Sequence, residues 1–159
     1  TWMLNKERLS ALVPLVQERA EKLSDHVPLV DYLVGARKEL SSEDFQHKTL
    51  ERQEVVQVLH HTLAAFDELR SWERDDLFQL CQALGQNLEM KFRDFLFPLF
   101  IAISGRSVSL PLFDSLIFLG ADLSRARLRD ALEVLSVSGK ERKKLDKAFA
   151  QLHRDLNLT

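Results

Sequence analysis

Apolar positions recur every three or four residues along this 159-residue chain, the spacing of helices that bury one face. Leu9, Leu12, Val13, Val16 and Ala20 form the first stripe, behind an N-cap at Asn5 with Glu7 in the first turn. Pro14 lies inside this stripe and, lacking an amide hydrogen, is expected to bend or restart the helix. Ser24 caps a shorter helix predicted from Asp25 to about Val34, with Gly35 as its stop. Polar residues 36–46 read as an irregular connection. A long helix is predicted over Lys48 to Leu69, carrying Leu50, Val55, Val56, Leu59, Leu63, Ala64 and Phe66.

Ser71 is the next N-cap candidate, with Asp75 and Asp76 placed early to meet the positive end of the helix dipole. That helix turns Leu77, Leu80, Cys81 and Leu84 inward and is expected to stop near Gly85. Met90 to Ser104 is apolar nearly all round, which predicts a buried helix ended by Gly105. Pro111 suits the first turn of a short helix running to Leu119 and stopping at Gly120. Ser124 is expected to cap a helix bearing Ala126, Leu128, Ala131, Leu132 and Leu135. A last helix is predicted from Ser138 or Gly139 to about Leu156. Val108 and Ser109 fall in a short connector, and no alternating strand pattern emerges. The prediction is an all-α bundle of about seven to eight helices. It divides near Glu68–Ser71 into a first helical subdomain, 1–70, and a second, 71–159, although no Gly/Pro-rich linker marks the divide.

A hydrophobic share of 45% and a charged share of 29% place the chain among folded globular proteins and not disordered ones. The longest apolar run, Phe95 to Ile103, contains Pro98 and is too short to span a bilayer. The chain shows no secretory signal pattern and begins at Thr1, not Met, which points to an excised or processed chain. The lone cysteine, Cys81, forms no internal disulfide and fits a reducing compartment. The net charge of −2 hides a polarity: residues 1–80 carry 10 basic and 15 acidic side chains, residues 121–159 nine and six. On its own such an asymmetry is equally a pattern of solvated helix faces.

No catalytic set emerges. The chain has no Gly-rich phosphate loop, no paired Cys-x-x-Cys and no His-Glu-x-x-His spacing. His60 and His61 are adjacent on a helix, so they are expected to point to different faces and to make a poor metal pair. Cys81 lies among apolar residues with no histidine at helical spacing, as a buried structural thiol does.

The informative stretch runs from Lys91 to Leu132. It reads Lys91-Phe-Arg-Asp-Phe-Leu-Phe-Pro98-Leu-Phe-Ile-Ala102-Ile-Ser-Gly105, then Ser109-Leu-Pro-Leu-Phe113-Asp, then Phe118-Leu-Gly120, then Arg125-Ala-Arg-Leu-Arg-Asp-Ala131-Leu. This order resembles the C-terminal anticodon-binding region of bacterial glutamate–tRNA ligases. A second stretch, Leu12-Val-Pro-Leu-Val-Gln-Glu-Arg19-Ala-Glu-Lys-Leu23-Ser-Asp, resembles the first anticodon-domain helix of the family, and Trp72 falls where the family often has Trp. The likeness covers nearly the whole chain and is carried by the order and spacing of all three features.

The resemblance implies a helical cage that reads unstacked bases of a tRNA anticodon loop, a task suited to planar, multiply donating arginines. It implies a parent enzyme of class I that joins glutamate to its tRNA with ATP and Mg2+. The catalytic fold would lie outside these residues, leaving no catalytic residue, metal site or cofactor in this segment. A cytoplasmic, monomeric, membrane-free protein with glutamate tRNA as partner follows from the same likeness. Arg19 falls where the family places an Arg on the third anticodon base, a feature associated with rejecting the glutamine tRNA; by periodicity alone it is a solvated helix residue. The family's Pro-Leu-Arg element here reads Pro98-Leu99-Phe100, and Phe100 is expected to pack into the core. Arg93 and Arg106 flank that helix and are candidates to compensate. Ser104 replaces a Thr and keeps its hydroxyl. Arg125 and Arg129, with Arg127 between them, offer a second RNA surface spread around their helix. Lys140, Arg142, Lys143, Lys144 and Lys147 form a denser set able to hold phosphates without base selectivity. Two other readings stay open: the similar cage of class I lysine–tRNA ligase, and a helical protein–protein module with no RNA role.

Overall fold

A computed structural model describes residues 31–34, 39–106 and 110–156. The expected first helix with Pro14, the Ser24 cap, Arg19, Gly35, Val108 and Ser109 lie outside the described residues. Within them the chain is helical, with no strand: α1 Asp31–Val34, a 3-10 turn Ser42–Phe45, α2 Arg52–Glu68, α3 Arg74–Asn87, α4 Phe92–Ser104, α5 Leu112–Leu119, α6 Ala121–Val134 and α7 Gly139–Leu156.

Several boundaries differ from the sequence expectation for identifiable reasons. α2 begins four residues after Lys48 because Thr49 donates both its amide and its hydroxyl toward His47 Nδ1, at 3.2 and 3.1 Å, which holds a turn there. Glu51 is then the N-cap, and its amide donates to Glu54 Oε1 at 3.1 Å. Ser71 is not a cap: its hydroxyl donates to Asp76 Oδ2 at 2.7 Å, and Glu73 occupies the cap position of α3. α3 also runs through Gly85 to Asn87, where Leu88 closes it. A Cβ at Gly85 would lie 3.4 Å from Phe95 Cγ, so the glycine serves the close approach of α4 instead of ending α3.

Gly105 and Gly120 do act as stops. Gly105 adopts a left-handed φ of 78° and donates its amide to the Ile101 carbonyl at 2.8 Å. The Ser104 hydroxyl donates to the Phe100 carbonyl at 2.7 Å and accepts the Arg106 amide at 3.2 Å, tying the chain down as it leaves α4. Gly120, at φ 84° and ψ 167°, ends α5 and starts α6 within one residue. This tight corner places Ser124 inside α6, fully buried, so it is not the expected N-cap. The last helix starts at Gly139, one of the two expected positions, and Ser138 caps it, its Oγ accepting the Glu141 amide at 3.1 Å.

α2 is the axle of the bundle. It packs on α3, α4, α6 and α7, and α6 in turn packs on α4 and α5. One buried cluster draws on residues before and after position 70, from Tyr32 through Val58, Leu59, Leu77, Leu84, Phe95 and Leu128 to Leu152. Each such side chain contributes roughly 1.5–3 kcal/mol by leaving water. Trp72 clasps the α2–α3 connection to α5: its indole N–H donates to the Leu116 carbonyl at 2.9 Å and its ring meets Phe66 edge-on at 5.0 Å. Tyr32 closes the other side. Ser115 Oγ donates its proton to the Pro111 carbonyl at 2.9 Å, so Tyr32 is the donor in its 2.8 Å bond to Ser115.

Candidate nucleic-acid interface

α6 sorts its three arginines by helical position. Arg127 falls in line with Ser124, Leu128 and Ala131, all buried, and is itself only 5% exposed. Its two terminal nitrogens donate to the carbonyls of Ile103 and Tyr32, each at 2.6 Å, so it joins α1, α4 and α6. This corrects the expectation of an RNA-facing Arg127. The signal was present in the sequence, because the residue sits inside the apolar stripe at i+3 from Ser124 and i+4 to Ala131.

Arg125 and Arg129, four residues apart, share the other side of α6. Arg125 donates to Asp122 Oδ1 at 2.7 Å and lies 3.7 Å from Asp67 of α2, so its charge is already balanced within the fold. Arg129 is exposed and borders a groove of about 300 Å³ between α2, α6 and α7, lined also by His60, Asp67, Glu133, Arg142 and Asp146. The groove mixes both charge signs, which suits a polar ligand contacted at points more than a bare anion. A larger groove of about 600 Å³, lined by Phe45, His47, Leu50, Arg52, Val55 and Leu135, holds none of the predicted site residues.

The remaining predicted residues do not converge on that groove as a set. Arg93 is exposed in the first turn of α4, and Arg106 is half-buried just past its last turn. At about 1.5 Å per residue the two stand on the order of 20 Å apart along the axis, too far to serve one base together. Phe100 is half-buried and packs against the core, as expected of it.

The histidine pair is closer than adjacency on a helix suggests. His60 and His61 are both buried, and their Nδ1 atoms lie 3.0 Å apart, while His60 Nε2 lies 2.7 Å from Asp146 Oδ1 of α7. The expectation of rings on different faces is therefore corrected: both turn toward α7, where His61 also meets Phe149 edge-on at 5.6 Å. With the carboxylate on Nε2, His60 donates there, and a single shared proton bridges the two Nδ1 atoms. Burial, and next the charge on His60, holds His61 down at about 4. No group of three or more metal-ligating side chains forms among the described residues. Cys81 is fully buried, and burial pushes its thiol up, away from nucleophilic use.

At the far end of α2, Arg52 grips Glu141 of α7 through two bonds of 2.8 and 3.3 Å and donates to the Leu135 carbonyl at 2.6 Å. The hydrogen bond from Arg52 holds the Glu141 carboxyl below its ordinary value. α7 is thus fastened to α2 at two points. Among the described residues no helix is long and apolar enough to cross a membrane.

Comparison with known proteins agrees with this helical, cation-bearing architecture. Residues 1–132 match the anticodon binding domain family. The chain is similar to proteins named glutamate–tRNA ligase: 41% identical over 95% of the chain to that of Saccharophagus degradans, 38% over 95% to that of Marinobacter nauticus, and 40% over 92% to that of Pseudomonas aeruginosa. It spans about 30% of the length of these relatives. With more than three-quarters of its length matched by one family and an all-helical fold behind the match, the chain belongs to the anticodon binding domain family.

Proposed function

We propose that this chain is the anticodon-reading part of a glutamate–tRNA ligase and that it performs no bond-making itself. The supporting observation is the family match over residues 1–132, joined to relatives that bear that enzyme's name and are about three times longer than the aligned segment. In this reading the bases of the anticodon loop, unstacked and splayed, meet cationic side chains of the bundle. Arg129, exposed at the edge of a polar groove, is the described arginine best placed for such contact, and Arg93 serves from α4. Arg125 acts mainly by shaping that edge through its pairs with Asp122 and Asp67, and Arg106 by positioning the α4 exit. Arg19 contributes from the amino-terminal part.

The parent enzyme joins glutamate to its tRNA in the cytoplasm as a monomer, with ATP and Mg2+ held elsewhere. Titrating the chain with glutamate, glutamine and lysine tRNA transcripts at two salt concentrations tests the reading. Tightest binding to the glutamate transcript, weakening steeply with salt, is the expected result. Equal weak binding to all three rejects it.

A further inference from the structure

α7 lies beyond the segment matched by the family, and the way it is mounted sorts its charges. Between Gly139 and Leu152 it carries two acidic side chains, Glu141 and Asp146. Both are engaged by α2: Glu141 by Arg52 at 2.8 Å and Asp146 by His60 at 2.7 Å. Leu145, Phe149 and Leu152 pack into the core between them. At about 100° per residue, Lys140, Lys143, Lys144 and Lys147 fall in an arc of roughly 100° centred opposite that apolar seam. All four are exposed. The two carboxylates between Gly139 and Leu152 are therefore spent on fastening the helix, and over that stretch its outer face carries four lysines and no acidic side chain, on a chain whose net charge is −2.

We infer that this lysine face of α7 is a phosphodiester-backbone contact for the RNA, separate from the surface that reads bases. The inference rests on the RNA reading above. Lysine is a mobile point charge, suited to phosphates and indifferent to base identity, and between Gly139 and Leu152 the face carries no aromatic ring for stacking and no arginine fork for base edges. A membrane is a poorer occupant. An interfacial helix needs a free apolar face, and the apolar face of α7 is already used in the core. The two fastenings to α2 hold the lysines in a fixed row, which lowers the entropy lost when a rigid polyanion docks.

The test compares the full chain with a variant carrying Lys140→Gln, Lys143→Gln, Lys144→Gln and Lys147→Gln, using the same three transcripts across a salt series. Glutamine keeps helix propensity, so circular dichroism should be unchanged. If the quadruple variant fails to fold, the pairs Lys140/Lys144→Gln and Lys143/Lys147→Gln each carry half the effect. The expected outcome is at least a tenfold loss of affinity for all three transcripts alike, their ranking kept, and a slope of log K against log salt reduced by roughly 3. Exchanging Lys48 and Lys91 for Gln should change that slope by less than half as much. Wild-type binding with a slope unaffected by the four exchanges overturns the inference and leaves the anticodon reading intact. An altered ranking also overturns it, as does lysine-dependent binding to anionic vesicles with unchanged RNA affinity. No salt-sensitive RNA binding by the wild type rejects both.

Discussion

Arg127 donates to the backbone carbonyl of Tyr32 at 2.6 Å, across 95 positions of sequence, and this bond fixes α1 against the centre of α6. The same guanidinium satisfies the Ile103 carbonyl. Removing it leaves two buried acceptors without that donor, a loss larger than a surface ion pair gives. Arg127→Met should lower unfolding stability by about 3 kcal/mol, read from the urea midpoint, while Arg129→Met should stay within about 0.5 kcal/mol. Equal small effects at both positions would remove the structural role assigned to Arg127.

His61 supplies a pH signature. Its folded value of about 4 lies below the ordinary 6.5 because burial disfavours the imidazolium. Below about 6.5 the unfolded chain binds a proton that the folded chain refuses until about 4, so stability is full above that window and falls as pH drops through it. The loss is on the order of 3 kcal/mol across the window. Denaturant midpoints at several pH values should show it, and His61→Phe should flatten the slope between pH 6.5 and 4 relative to wild type.

Much of the fold was legible because the bundle is built from strong, separate helical stripes. Gly105 and Gly120 announced helix ends through residue type alone, since a backbone at positive φ has few substitutes for glycine. Ser71 and Ser124 misled for the opposite reason: a serine looks the same whether it caps a helix, pairs with Asp76 or is buried mid-helix. Gly85 likewise hides a tertiary cause, the ring of Phe95, behind a local one. At the candidate interface, charge was visible but its use was not. Separating Arg127 inside from Arg129 outside, and learning that Glu141 and Asp146 are spent on Arg52 and His60, needs partners up to 95 positions away.

Ser124 can be tested directly. Its hydroxyl and that of Thr62 are buried and have no hydrogen-bond partner among the described residues. A capping serine costs about 1 kcal/mol when changed to alanine. Ser124→Ala should instead be neutral or stabilising by up to about 1 kcal/mol, because an unsatisfied hydroxyl is removed from the core. A clear loss of stability would restore the capping role.

Gly120→Ala isolates the corner between α5 and α6. A Cβ there meets nothing within 4 Å, so crowding contributes nothing and the cost is that of holding φ at +84° with a side chain present. The expected loss is about 1–2 kcal/mol, with tRNA affinity at saturating stability unchanged. A thermal melt against the wild type reads it, and an unaltered melt would mean that the corner relaxes.

Arg125 and Arg129 differ in what the fold has already done with their charge. Arg125 is held by Asp122 at 2.7 Å and faces Asp67, so moving it onto RNA breaks one pair to form another. Arg129 has no ion pair among the described residues and stands at the groove edge beside Arg142. Arg129→Ala should therefore weaken binding of the glutamate transcript by about five- to tenfold and reduce the salt slope by about 1. Arg125→Ala should cost less than half as much in affinity. Measured side by side in one salt series, a larger effect at Arg125 than at Arg129 would show that the acidic partners orient Arg125 for RNA instead of neutralising it.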